Sequence, residues 1–444
     1  MQINLSDHFD YKKLLRFTFP SVAMLVFTSI YGVVDGFFVS NFAGDIAFTA
    51  VNFIFPFLMI LGSIGFMFGA GGSALIGKTL GEGHKNRANK LFSLFVYVTF
   101  ALGLVLGLVG QLILRPIAVW LGAEGEMLEL CVQYGRIILA ALPAQMLQFE
   151  FQSFFITAEK PHLGFVTTLC AGIANIVFDA LLVAIFPLGV TGAAVATAIS
   201  QTIGAAIPLF YFFRKKNTSL LRLRKTKFDG RALLQATGNG ASELLSNIAM
   251  SVLSMIYNAQ LLEIAGNDGV AAYGVLMYVG MIFNAIFIGY SVGIAPVISY
   301  HYGAHNKTEL NSLLKKSALL IGLSSVAMCL LSAALSYPLS YIYVGYKPEL
   351  LALTSRAFFI FSIAFLFMGL AIFFSSWFTA LNDGLTSATI SFLRTMVFQL
   401  SAVFLLPLVM GIDGIWLSIG VAECLALVTA LILLVCKRKK YEYF

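Results

Sequence analysis

The chain contains uncharged stretches too long for the helices of an ordinary soluble domain. Ile46–Gly77, Leu91–Leu114, Ala180–Phe213, Gly269–Tyr300, Ser317–Tyr346 and Ala357–Asn382 lack any Asp, Glu, Lys or Arg. A lipid-spanning helix needs about 20 mostly apolar residues, whereas a membrane β-barrel shows alternating segments of about 10. Lipid offers the backbone no hydrogen-bond partners, so continuous apolar runs cross it as helices. Ala180–Phe213 divides around Pro187, Gly189 and Gly192. This reading predicts twelve helices, near 14–40, 47–77, 91–119, 128–155, 163–186, 190–213, 232–264, 269–300, 313–342, 350–378, 386–408 and 412–436.

Composition supports an all-α polytopic membrane protein. Of 444 residues 59% are hydrophobic and 11% charged, against about 25% charged in a soluble domain. An ordinary soluble enzyme, a disordered chain and a collagen are thereby excluded. The 39 glycines suit a helical bundle, because small residues let helix backbones approach closely. The five cysteines, at 131, 170, 329, 424 and 436, have neither a disulfide-framework nor a zinc-site spacing. The first sixteen residues are polar with no small-residue cleavage site, so no removable signal peptide is expected.

The basic residues set an orientation. With the N-terminus in the cytoplasm, 23 of the 28 Lys and Arg face inward, at 12–16, 78–90, 160, 214–231, 307–316 and 437–440. Arg115, Arg136, Lys347 and Arg356 fall outside, and Arg394 lies within a helix. The positive-inside rule therefore predicts cytoplasmic termini and explains the net charge of +7 without nucleic acid. Residues 214–231 hold eight basic residues against Asp229 alone and read as a cytoplasmic connector. They can also meet lipid headgroups. The expected division is 1–213, 214–231 and 232–444.

The two halves repeat. When the chain is displaced against itself by half its length, Gly81-Glu82-Gly83-His84-Lys85 overlies Gly303-Ala304-His305-Asn306-Lys307. Thr157-Ala158 likewise overlies Thr379-Ala380, and Gly189-Val190-Thr191-Gly192 overlies Gly411-Ile412-Asp413-Gly414. Six helices per half give both halves the same orientation, so a pseudo-twofold axis along the membrane normal relates two six-helix lobes. Such lobes enclose a central cavity, and their rocking gives alternating access.

Most of the acids lie in loops, at termini or at helix ends, and five fall well inside predicted helices: Asp35, Glu150, Asp179, Glu243 and Glu423. An ionised carboxylate at mid-bilayer costs at least ~2.5 kcal/mol, so each needs a reason. Asp35 and Asp179 lie deep in the first and fifth helices, with Asn175 one turn before Asp179 on the same face. Two carboxylates joined by an amide can share a proton or hold a small cation such as Na⁺. Their equivalents at the same half-chain displacement are Tyr257 and Ser401, so the pair is not needed to build a six-helix unit. Glu243 either faces the cavity and attracts a cationic substrate or pairs with Arg394. Glu150 and Glu423 read as structural or interfacial.

One motif misleads. Gly72-Ser-Ala-Leu-Ile-Gly77-Lys78-Thr79 matches a phosphate-binding loop, which requires a preceding strand. An apolar membrane helix precedes it instead, so an ATP-driven pump is not expected. No H-E-x-x-H occurs.

The Val33-Val-Asp-Gly36 stretch, Asn175-Ile-Val-Phe-Asp179, the Gly81-Glu-Gly-His-Lys-Asn86 loop and Gly189-Val-Thr-Gly-Ala-Ala-Val-Ala-Thr197 resemble the multidrug and toxic compound extrusion (MATE) family. The resemblance covers essentially the whole chain. It implies a MATE-like fold and secondary antiport, in which H⁺ or Na⁺ entry drives export of organic cations and drugs across a bacterial inner membrane. Carried over by position, Asp35 and Asp179 are the coupling carboxylates, with Asn175, Thr197 and Tyr134 around them. In another branch, acids of helices seven and ten share the coupling. Here Glu243 fits the first position, but Phe358–Phe378 holds no acid, which favours the first lobe. No cofactor beyond the coupling ion, no resident metal and no enzymatic activity are expected, and the protein is expected to be a monomer in contact with lipid. The alternative is a flippase of lipid-linked saccharides, which needs several cavity Arg or Lys where only Arg394 is found.

Overall fold

The computed structural model describes residues 3–214 and 217–441. Lys215 and Lys216 of the expected connector, and residues 1–2 and 442–444 of the expected lobes, lie outside the described residues. Twelve helices follow one another: α1 (Tyr11–Phe38), α2 (Asp45–Gly81), α3 (Lys85–Leu121), α4 (Gly125–Thr157), α5 (Pro161–Asp179) and α6 (Gly189–Phe213). A 74-residue run, Gly230–Gly303, contains α7 and α8, divided at Gly266 where φ is 62° and ψ is −153°. Then come α9 (Lys307–Val344), α10 (Pro348–Ala380), α11 (Gly384–Met410) and α12 (Ile412–Tyr441).

Several helices exceed their expected limits. α3 starts at Lys85 rather than 91, and α9 at Lys307 rather than 313. The Asn306 side chain accepts the Glu309 amide at 3.1 Å and caps α9, so polar turns continue past the apolar span. The residues of the phosphate-loop pattern, 72–79, are helical throughout.

The backbone repeats with the sequence. Gly44 and Gly266 have φ of 94° and 62°, and Gly189 and Gly411 have 57° and 58°. The members of each pair are separated by the half-chain displacement of the sequence repeat, and left-handed backbone carries no steric cost for glycine. Gly83 and His305, equivalent in the same register, have φ of 80° and 53°.

Glycine also sets how the halves meet. A Cβ on Gly71 of α2 would overlap the Ala236 carbonyl of α7, and one on Gly240 of α7 would overlap the Met67 carbonyl of α2. Gly81 and Gly303 stand against the Tyr300 and Lys78 backbones, while Gly289 and Gly293 of α8 admit α1 at Thr18–Val22. These interlobe approaches gather at the end bearing the α2–α3 and α8–α9 turns, called the basic end below. Backbone contact of this kind requires small residues.

Two further segments close that end. The connector after α6 is not a free linker, because Arg222 N–H donates to Asn89 Oδ1 at 2.6 Å and Arg224 N–H to Ser93 Oγ at 2.8 Å. Before α1, the N-terminal segment buries Leu5 and Phe9 completely. Leu5 N–H donates to Glu159 Oε1 at 2.6 Å in the α4–α5 turn. Phe9 N–H donates to Glu309 Oε1 at 2.9 Å, and Lys316 Nζ donates to the Phe9 carbonyl at 2.6 Å, both from α9. The strap thus ties the first half to the second. Burial pushes the Glu159 carboxyl above its usual range, although the Leu5 amide opposes the shift.

Candidate functional site

Gly172 of α5 creates the space for the site. A Cβ there would lie 2.8 Å from Tyr31 Cδ1, so α1 and α5 approach closely one turn before Asn175. Asp35 then faces both Asp179 and Asn175. Asp179 is fully buried and Asn175 nearly so, while Asp35 is partly buried. Both Asp179 carboxylate oxygens, Asp35 Oδ1 and Asn175 Oδ1 are buried without a hydrogen-bond partner. Unpaired acceptors at this depth are costly. A proton or a cation would satisfy several of them at once.

The two other residues carried over by resemblance come to the same place. Tyr134 of α4 is buried within electrostatic reach of Asp35 and Asp179 and faces Thr197 of α6. Ser200 Oγ donates to the Ala171 carbonyl at 2.8 Å, holding α6 on α5 and placing Thr197 beside the pair. Tyr31 and Gln148 were not singled out in the sequence, yet Tyr31 stands against Asp35, Gln148 and Thr28. Its i, i+4 spacing to Asp35 was the available signal.

Local backbone geometry adds a feature. A π-helical segment, Val39–Ala43, begins four residues after Asp35, and another, Ala180–Ile185, begins directly after Asp179. A third, Leu393–Gln399, contains Arg394. Such widened turns are rare and concentrate at functional sites.

The remaining acids lie elsewhere. Glu150 is fully buried in the first half, beside Thr99, and neither carboxylate oxygen has a partner. It lies sixteen residues beyond Tyr134 on α4, about 24 Å along the axis, so it is separate from the pair. Glu243 is partly buried on α7. The expected alternative pairing of Glu243 with Arg394 is corrected: Arg394 bonds Glu423 Oε1 through Nη2 at 2.7 Å and Nε at 2.9 Å. Arg394 remains within electrostatic reach of Glu243. Both acids are glutamates of equal length, so the packing of α12 against the Arg394 segment decides which carboxylate meets the guanidinium.

At the corresponding place in the second half, the polar centre carries no carboxylate pair. Tyr257 is buried, its hydroxyl 2.6 Å from Ser418 Oγ, and Gln399 Nε2 donates to it at 3.5 Å. Tyr273 stacks on the Tyr257 ring at 5.2 Å.

Comparison with known proteins agrees with this architecture. The MatE family model matches residues 20–181 and again 244–405, once in each half. The chain is 25% identical over 433 residues to the multidrug export protein MepA of Staphylococcus aureus (strain MRSA252), covering 97% of this chain and 94% of that protein. A crystal structure of MATE in complex with MaL6 matches with a TM-score of 0.93 at 19% identity, covering 98% of each chain. The outward-facing conformation of a multidrug resistance MATE family transporter of the MOP superfamily matches with a TM-score of 0.89 at 20% identity, again over 98% of each. With one family model accounting for both halves of a twelve-helix membrane fold, the chain belongs to the MatE family of transporters and is not an enzyme.

Proposed function

We propose that the protein is a secondary multidrug exporter that exchanges H⁺ or Na⁺ for organic cations by alternating access. The observation that carries this reading is the Asp35–Asp179 pair beside Asn175, whose buried oxygens lack partners. Its 25% identity to a multidrug export protein over nearly the whole chain supports the substrate class. The same relatives favour export over the saccharide-flippase alternative. In this reading, residues 1–213 form the coupling lobe, 232–444 the second lobe and 214–231 their connector. The basic end faces the bacterial cytoplasm, with both termini there, and the protein works as a monomer in the inner membrane.

Proton or cation binding removes the repulsion between the two carboxylates and satisfies their acceptors. The coupling ion is therefore worth more in the arrangement that brings Asp35 and Asp179 together, and only such differential binding shifts a conformational equilibrium. Tyr134, Thr197 and Asn175 line the same site and orient the ion. Glu243, partly buried on the other lobe, attracts the cationic drug. Glycine contacts bring the two lobes together at the basic end, and in this reading the cavity opens on the opposite face.

The test is efflux of a fluorescent organic cation from proteoliposomes under a pH gradient and then a sodium gradient. Asp35→Asn and Asp179→Asn should each bring gradient-driven efflux to background while the protein still inserts. Full efflux in both variants would refute the assignment.

A further inference from the structure

We infer that Glu423 is a positioning residue for the exported cation, because it holds Arg394 and so leaves the Glu243 carboxylate available on the cavity side. The inference rests on the reading of Glu243 given above. Glu423 is buried, with Arg394 partly so; their side chains are 3% and 18% exposed. Two of the three guanidinium nitrogens, Nε at 2.9 Å and Nη2 at 2.7 Å, reach the same oxygen, Oε1. Oε2 is buried with no hydrogen-bond partner. Arg394 thus sits at one edge of the carboxylate rather than in a two-toothed fork, the arrangement that would bind it most firmly.

The guanidinium is permanently charged and must have an anion at this depth. Two acids are within its electrostatic reach, Glu423 on α12 and Glu243 on α7. The π-helical segment that carries Arg394 offsets its side chain from the regular helical face. With Glu423 present, the three side chains have one negative charge left over, on Glu243. Without Glu423, the same arginine neutralises Glu243, and the second lobe offers an organic cation nothing. Glu423 therefore sets cation preference without touching the cation.

The test uses tetraphenylphosphonium binding to the full-length protein in detergent, measured by equilibrium dialysis, with circular dichroism as the folding control. Glu243→Gln should weaken binding about tenfold, and Glu423→Gln should weaken it as much although it removes no cavity contact. The double variant Glu423→Gln, Arg394→Met should return to within about threefold of the original protein, because no arginine remains to cover Glu243. If Glu243→Gln weakens binding and Glu423→Gln does not, the inference is wrong. Equal weakness of the single and double variants also overturns it, since that is what loss of a merely structural acid produces. If Glu243→Gln itself binds normally, the reading of Glu243 fails instead. Should Glu423→Gln not fold, the double variant decides alone: near-normal binding supports the inference, and a tenfold loss refutes it.

Discussion

Substituting Gly81 by alanine tests whether glycine contacts hold the basic end shut. The added Cβ would overlap the Tyr300 carbonyl oxygen and come within 2.8 Å of Ala304 N and 2.9 Å of Tyr300 C. All three are backbone atoms and cannot rotate aside. Such contacts relax at about 3.5 Å, and the overlap with the Tyr300 oxygen is the tightest, so α2 and the end of α8 must part by about 1.5 Å. Overpacking a closed contact costs about 1–3 kcal/mol. The cost applies only while the lobes touch and disappears when they separate. Closed over open populations should therefore fall by roughly 5–150-fold. Spin labels at the exposed positions Arg87 and Thr308, in a variant lacking the five native cysteines, report the separation by double electron–electron resonance. A longer-distance population should grow in Gly81→Ala and not in Gly322→Ala, whose Cβ meets nothing within 4 Å. An unchanged distribution in folded Gly81→Ala would show that something other than backbone contact closes this end.

Two further outcomes follow from groups at the same end. Glu309→Gln should loosen the N-terminal strap, since the carboxylate accepts from Phe9 N–H at 2.9 Å and meets His8 Nδ1 at 2.5 Å. Hydrogen bonds to a charged group contribute about 1.5–3 kcal/mol, so amide-exchange protection at Phe9 should drop by at least ~10-fold; unchanged protection would mean that the buried Leu5 and Phe9 side chains hold the strap alone. Asp383 caps α11 and meets Lys437 Nζ at 2.8 Å. Burial raises its carboxyl, but Lys437, Tyr441 and Thr386 outweigh this and hold it below the usual carboxylate range. Its stabilising contribution is therefore present above about pH 4 and is lost as pH falls through the lower folded value. The melting difference between the original protein and Asp383→Asn should be constant from about pH 5 to 8 and shrink in stronger acid. A difference that grows on acidification would refute the ion-pair account.

How far the sequence could be read follows from what lipid penalises. Helices were legible because an apolar solvent tolerates no unpaired backbone. Asp35, Asp179 and Asn175 stood out because a carboxylate at that depth needs a reason. The three π-helical segments left no mark, since a one-residue widening of a turn changes neither hydropathy nor composition. The strap was missed for a different reason. Leu5 and Phe9 are isolated apolar residues in a polar segment, and only tertiary contact with Glu159 and Glu309 reveals their burial. Arg394 had two glutamates to choose from, and a choice made by which helix packs closest to it has no signature in spacing.

The asymmetry between the halves constrains how coupling travels. Both halves place left-handed backbone at equivalent positions of the repeat, so they share one scaffold and one way of meeting. Only the first has a carboxylate pair, while the second has Tyr257 with Ser418 and Gln399 at its polar centre. In the proposed mechanism, ion binding in one lobe must therefore be felt at the seam with the other. Helix α1 carries both ends of that connection: Asp35 near one end, and Thr18, Ser21 and Val22 packed on Gly289 and Gly293 of α8 near the other. Thirteen residues separate Val22 from Asp35, about 20 Å of helix. A tilt of a few degrees about the carboxylate moves the seam by an ångström or more over that length, comparable to the clearance that glycine provides there. Small residues at the seam and acids at the far end of the same helix are then two parts of one device, and replacing either should uncouple the lobes.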